Sequence, residues 1–207
     1  MPERADFLER AALRLRREPP GPQAARGDHD LNPGWKRAPG APAWKPAAVL
    51  VPVVARPAGL TILLTHRGNR LRAHSGQISF PGGKVDPGDP GALGTASREA
   101  REEIGLDPTY IDLLGYGDAY GSNSGYIVTP VVALVREGFD LSPNPFEVAE
   151  IFEVPAAFLM NPANHEAQVR RWNGLLRQYY AMPFERHYIW GVTAGILRNL
   201  YERLYAT

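Results

Sequence analysis

Between Gly82 and Leu106 the chain reads GGKVDPGDPGALGTASREAREEIGL, a glycine turn followed by a stretch with three glutamates in five positions. On a helix, Glu99 stands i,i+3 to Glu102 and i,i+4 to Glu103, so all three share one face. Like charges at those spacings repel and weaken the helix. Any fold that keeps this helix must therefore bring something positive to that face. A divalent cation is the economical answer, because hard cations take carboxylate oxygens and often bind together with substrate phosphates. That makes the stretch a candidate for metal-assisted hydrolysis. The alternative is a solvated acidic face, with Arg98 and Arg101 as counter-charges.

The rest of the chain alternates strands and helices. Asp6–Arg17 reads as an amphipathic helix with Phe7, Leu8, Ala11, Ala12 and Leu15 on one face, stopped by Pro19-Pro20-Gly21-Pro22. A Pro/Gly-rich loop runs on to Pro46, with turns at Asn32-Pro33-Gly34 and Pro39-Gly40. Trp35 and Trp44 are expected to pin it to the body. Ala47–Ala55 is a buried strand in which Pro52 is expected at an edge or a bulge. Strands follow at Leu60–Thr65 and Gln77–Phe80. The glutamate helix starts near Pro90 and ends at Gly105 as its cap. Tyr110–Tyr120 and Tyr126–Val135 read as a strand pair around Gly121–Gly125. Val148–Val154 and Gln178–Pro183 are further strands, and Ala156–Met160 is a helical turn. The closing helix, Val192 to Leu204, lines Ile196, Leu200 and Leu204 on one face. This order predicts an α/β fold, a mixed sheet with helices on its faces. We divide it into an N-terminal helix with its Pro/Gly-rich extension, residues 1–45, and a body of residues 46–207.

The glutamate stretch resembles the box of the Nudix hydrolases, which runs G, five residues, E, seven residues, then R-E-U-x-E-E-x-G-U with U aliphatic. Arg98 to Leu106 fits the second half, with Ala100 a small residue at the first U. Counting from Gly83, Asp89 stands in place of the first Glu, and the gap to Arg98 is one residue longer than the general pattern. The coenzyme A pyrophosphatase branch carries that same longer box with Asp. It also carries an upstream motif, L-L-T-x-R-[SA]-x3-R-x3-G-x3-F-P-G-G. Here the chain has Leu63-Leu64-Thr65-His66-Arg67-Gly68, then Arg72, Gly76 and Phe80-Pro81-Gly82-Gly83. Gly68 is the one mismatch. Weaker likeness extends to Glu147–Pro155 and to Ile189-Trp190-Gly191.

The resemblance implies an α/β/α Nudix sandwich and Mg²⁺- or Mn²⁺-dependent cleavage of coenzyme A and its derivatives to adenosine 3′,5′-bisphosphate and 4′-phosphopantetheine. It also implies a metal set of Glu99, Glu102 and Glu103, with the Gly83 carbonyl in reach of the ion. Gly82 and Gly83 allow close backbone approach. Arg98 enters the catalytic set by orienting a box carboxylate through a bidentate pair. The general base is Glu99 or a carboxylate of a later loop, Glu147 or Glu150. Arg67 and Arg72 suit substrate phosphate through their forked donors, although either could instead pin its loop. His74 beside Ser75 matches no nucleophile motif. Asp86-Pro87-Gly88-Asp89 is turn chemistry and lacks the ligand spacing of a calcium loop.

Composition narrows the remaining classes. The 207 residues suit one domain with an appendage, and 44% hydrophobic with 22% charged is globular. A net charge of +1 provides no basic excess for nucleic acid. With no cysteine there is no disulfide or thiolate metal site, which suits the cytoplasm. The longest apolar run, Ala47–Ala55, is far short of the ~20 residues of a membrane span, and the first residues lack a secretory apolar region. A small-molecule substrate is thus the expected partner, with a homodimer compatible. Competing readings are a Nudix enzyme for ADP-ribose or dinucleotides, a non-catalytic nucleotide-binding regulator, and an acidic-helix interaction protein.

Overall fold

The apolar run around Pro52 becomes the centre of a sheet, and its neighbours explain why it is apolar throughout. The computed structural model describes residues 4–32, 34, 40, 42–68, 76–172 and 174–206. In chain order the elements are α1 (Arg4–Arg14), β1 (Arg26–Gly27), β2 (Lys45–Arg56), β3 (Gly59–Arg67), β4 (Ile78–Ser79), β5 (Gly82–Lys84) and α2 (Gly91–Ile104). Then follow β6 (Ile111–Tyr116), β7 (Tyr120–Gly121), β8 (Tyr126–Val135), β9 (Val148–Pro155) and α3 (Ala156–Leu159). The chain finishes with β10 (Glu166–Trp172), β11 (Leu175–Phe184), β12 (His187–Trp190) and α4 (Val192–Tyr205). Strands β1 to β9 form a mixed sheet, with β2 parallel to β8 and antiparallel to β3 and β5.

Alternate residues of β2 feed two separate cores. Ala47, Val51, Val53 and Ala55 face α1, α3 and α4. Ala48, Leu50 and Val54 face Ala96, Ala100 and Ile104 of α2. A strand buried on both faces has no polar side to alternate with. The result is an α/β/α sandwich with a central mixed sheet, as expected.

Pro52 sits in this central strand, neither at an edge nor at a bulge. Leu50 donates its N–H to Pro81 on the β3/β5 side, so by alternation the missing N–H of Pro52 points to that side too. The β5 ladder ends there at Val49 and the β3 ladder starts at Val53. Pro52 therefore occupies the gap between two ladders, where no donor is needed.

The N-terminal helix ends three residues sooner than its periodicity suggests. Arg16 leaves it to exchange backbone hydrogen bonds with Tyr116, at 3.0 and 2.8 Å. Phe7, Ala11 and Leu15 are buried as expected, whereas Ala12 is exposed. Within the following loop, Arg26–Gly27 adds a short strand parallel to Tyr120–Gly121. Trp44 packs at Gly121, where a Cβ would lie 3.1 Å from its ring. Trp35, Pro33 and Pro39 lie outside the described residues.

A second, three-stranded sheet, β10-β11-β12, stands beside the main one. Only part of β11 was visible as a strand in the sequence. Among the described residues no helix is long and apolar enough to cross a membrane.

Candidate active site

Helix α2 lies over one face of β2 through small residues, Ala96 and Ala100, which let it sit close. Its C-terminal end is capped by Gly105, whose φ of 71° is left-handed as expected. The close seat carries Glu103 into the interior, where its side chain is 3% exposed. One carboxylate oxygen accepts the Gly82 N–H at 3.1 Å and the other takes Arg67 Nη1 at 3.3 Å. Burial dominates all the same and pushes this carboxyl up to about 7; Arg67 and Gly82 oppose the shift, and Glu99 and Glu147 add to it.

The upstream motif and the box therefore meet at Glu103. Arg67 ends β3 at an irregularity in the β3–β9 ladder and turns toward α2. Its buried Nε has no hydrogen-bond partner among the described residues. The expectation of a substrate-phosphate contact or a loop pin has a third outcome here: Arg67 holds a box carboxylate. Arg72, His74 and Ser75 lie outside the described residues.

Arg98 organises the exposed rim. Its Nε and Nη2 form a bidentate pair with Asp89 at 2.9 and 3.0 Å, and Nη2 also reaches the Lys84 carbonyl at 3.1 Å. This pair, with Asp86 and Thr95 donating as well, holds Asp89 well below the usual carboxylate range. In the sequence Asp89 reads as a departure from the box and as part of a turn; its pairing with Arg98 is seen only in the structure. Nη1 of Arg98 lies between Glu99 at 3.0 Å and Glu102 at 3.2 Å. The counter-charge demanded by the glutamate face is thus Arg98 together with Arg67. Glu99 is raised above the ordinary glutamate value, chiefly by burial.

The two glycines differ in what they approach. A Cβ on Gly82 would lie 2.5 Å from the Ala48 carbonyl oxygen and 2.6 Å from Val49 Cα, so the β2 backbone excludes a side chain. A Cβ on Gly83 would fall inside the Glu99 carboxylate, 2.5 Å from its Cδ.

Of the later-loop candidates, one joins the site. The loop before Glu147 is tied to the end of α2 by Ser142 N–H to the Ile104 carbonyl and Asn144 N–H to the Glu103 carbonyl, both 2.8 Å. The Asn144 side chain donates to Glu147 at 3.4 Å, and the Glu147 charge is felt at both Glu99 and Glu103. Asn144, which sequence reasoning passed over, thus ties the Glu147 carboxylate to the Glu103 backbone. Glu150 goes elsewhere. It pairs with Arg186 and with His187 at 3.3 Å, and His187 stacks on Phe152 with ring centroids 3.7 Å apart.

Among the described residues no three His, Asp or Glu side chains converge closely enough to hold an ion as they stand. The donor set nevertheless suits a hard cation. It is all oxygen, it includes a buried carboxylate that one guanidinium leaves under-compensated, and Gly83 brings backbone against Glu99 where any side chain would block it. Glu102, 57% exposed, is held among the described residues by Arg98 alone. A separate cavity of about 490 Å³, lined by Arg14, Arg26, Asp118, Glu202 and Arg203, involves α4 rather than α2. Its charges pair among themselves, Arg203 with Asp118 and Arg26 with Glu202.

Comparison with known proteins identifies the family. The uncharacterized Nudix hydrolase NudL of Photorhabdus laumondii is 41% identical over 159 residues, covering 76% of this chain and 84% of its own length. The NudL protein of Yersinia pestis is 39% identical over 158 residues, covering 76% of this chain and 79% of its own. Among solved structures, the M. smegmatis Nudix hydrolase RenU matches with a TM-score of 0.47 and 25% identity, over 56% of this chain and 73% of that one. The profile of the NUDIX domain matches residues 44–173, which hold β2, Arg67, the glutamate helix and Glu147. The chain belongs to the Nudix hydrolase family.

Proposed function

We propose that this protein is a Mg²⁺- or Mn²⁺-dependent pyrophosphohydrolase that cleaves coenzyme A and its derivatives to adenosine 3′,5′-bisphosphate and 4′-phosphopantetheine. The observation that carries the substrate class is the meeting of the two motifs: Arg67 and Gly82, from the upstream motif, both bind Glu103 of the box. The longer box, with Asp89 on Arg98, supports the same branch.

Glu99, Glu102, Glu103 and the Gly83 carbonyl would hold the cation, which when bound neutralises pyrophosphate oxygens and favours hydroxide over water. The chain's own groups do the rest. Glu99 or Glu147 takes a proton from the attacking water. The water oxygen bonds to one phosphorus as the bridging P–O bond breaks, and the bond's electron pair leaves with the departing phosphate. Arg98 holds Glu99 in place through its own anchor on Asp89. Asn144 does the same for Glu147. Arg67, with Arg72, is the candidate for neutralising substrate phosphate. Residues 1–45 are read as an extension packed on the hydrolase body of residues 46–207.

The test is hydrolysis of coenzyme A in Mg²⁺ and in Mn²⁺, run beside ADP-ribose and dinucleotide substrates. Coenzyme A is expected to turn over fastest, with release of adenosine 3′,5′-bisphosphate. Faster turnover of ADP-ribose or a dinucleotide would keep the chemistry and discard the substrate. Nucleotide binding without turnover in either metal would make the chain a binding module.

A further inference from the structure

The small sheet ends in an open edge. Strand β10 pairs with β11 on one side, and among the described residues no strand pairs with the other. The groups which that edge offers can be read from β11. Gln178 donates its N–H to Asn32 Oδ1 and accepts from Asn32 Nδ2 with its carbonyl, both at 2.9 Å. Both groups of Gln178 therefore point away from Val169, its register partner. Val169–Gln178 is then a non-hydrogen-bonded pair, so the N–H and C=O of Val169 face outward. By alternation those of Ala167 and Arg171 do too.

Several usual means of closing such an edge are missing. Between Glu166 and Trp172 there is no proline, and the β10–β11 register runs without a bulge. Val169 is 58% exposed and Leu176, on the same face, 66%. Arg170 and Arg171 would discourage indiscriminate pairing, yet the strand is complementary to itself. Two antiparallel copies with Gln168 opposite Gln168 set Glu166 opposite Arg170 twice, and Ala167 opposite Val169 twice. The outward groups accept this alignment. Ala167 and Val169 meet as hydrogen-bonded pairs, and Glu166 and Arg170 meet in the non-hydrogen-bonded positions, where side chains come closest. Arg170 already has an interaction within its own chain; the five donors of a guanidinium accommodate a further carboxylate.

We propose that a second copy of this chain pairs with it through β10, about a twofold axis at Gln168. The two three-stranded sheets become one continuous sheet, and the contact is isologous, each Glu166 meeting the other copy's Arg170.

The experiment is sedimentation velocity of the full chain from micromolar to hundred-micromolar concentration. A mass approaching twice the 22.8 kDa chain is expected as concentration rises. Glu166→Arg sets like charges opposite each other and should weaken the dimer at least about tenfold. The double swap Glu166→Arg with Arg170→Glu reverses both partners and should restore it to within about twofold. Val169→Pro removes an outward N–H, at an edge position where a monomer tolerates proline. It should give a monomer with unchanged far-UV circular dichroism. A single-chain mass at every concentration would overturn the proposal. So would a dimer that Glu166→Arg leaves as tight as wild type, or a double swap no better than the single.

Discussion

Helices α2 and α4 each have 14 residues and cover opposite faces of the same sheet, yet they use their polar sides differently. On α2, Arg98 faces Asp89, Glu99 and Glu102, while Glu103 goes inside with a raised pKa. On α4, Arg203 bonds Asp118 and the Arg14 carbonyl, and Glu202 joins Arg198 to Arg26. These groups latch the N-terminal segment to the body. The buried side of α4 includes Ile196, Leu197, Leu200 and Leu204, whereas that of α2 is Thr95, Ala96, Ala100, Glu103 and Ile104. One helix holds carboxylates near each other at some cost in stability. The other holds the molecule together.

The strongest way to break this contrast is to exchange their expected phenotypes. Glu103→Gln keeps the shape and a hydrogen-bonding oxygen but removes the charge. Turnover of coenzyme A should fall roughly 10³-fold, the scale lost with a preorganised electrostatic group. The thermal midpoint should hold or rise, because a buried neutral amide needs no counter-charge. A large loss of stability with activity retained would make Glu103 structural and dissolve the comparison. On α4, Leu197→Ala should do the reverse. Leu197 is fully buried, and its truncation should cost about 3 kcal/mol in denaturant unfolding. kcat at a temperature where the variant is folded should stay within about twofold of wild type.

The neighbouring glycines sharpen the contrast inside one turn. The nearest atoms that the methyl of Gly83→Ala meets are the end of Glu99, which can swing aside, so turnover should drop about tenfold with the midpoint unchanged. Gly82→Ala meets the backbone of β2 and should cost about 1–3 kcal/mol of stability along with activity. Equal thermal shifts in the two variants would show that Gly83 serves the strand rather than the carboxylate.

Much of this was legible in the sequence, and the gaps have physical causes. The glutamate face, the left-handed cap at Gly105 and the doubly buried β2 are local patterns with one period each. Pro52 was misplaced because its tolerance depends on where two ladders end, which a single strand does not encode. Strand β10 was missed because Glu166-Ala167-Gln168-Val169-Arg170-Arg171 is exposed almost throughout and has no apolar alternation to read. The Arg67–Glu103 contact spans 36 positions and depends on the register of β3 against the Gly82 turn. Of the two later-loop carboxylates, Glu147 lies near Glu99 and Glu103 and Glu150 does not, but that nearness rests on backbone bonds of Ser142 and Asn144 that residue types do not reveal.

The smallest expected effect tests the latch on α4. Burial alone would raise the Asp118 carboxyl, but hydrogen bonds and charge from Arg203 and Arg16 outweigh it and hold it below the ordinary aspartate value. A carboxyl depressed on folding stabilises the fold above the unfolded pKa of about 4 and loses that contribution as pH falls through its own lower value. Asp118→Asn should therefore lower stability at pH 7 by roughly 1–2 kcal/mol, the scale of a charged hydrogen bond. The gap between the two proteins should close as pH falls below about 4, and turnover at pH 7 should be untouched. Other carboxyls titrate alike in both proteins, so the difference in their calorimetric midpoints isolates this residue. A gap that persists at low pH would assign Asp118 to shape rather than charge, and a parallel loss of turnover would mean that the two helices are coupled through the sheet.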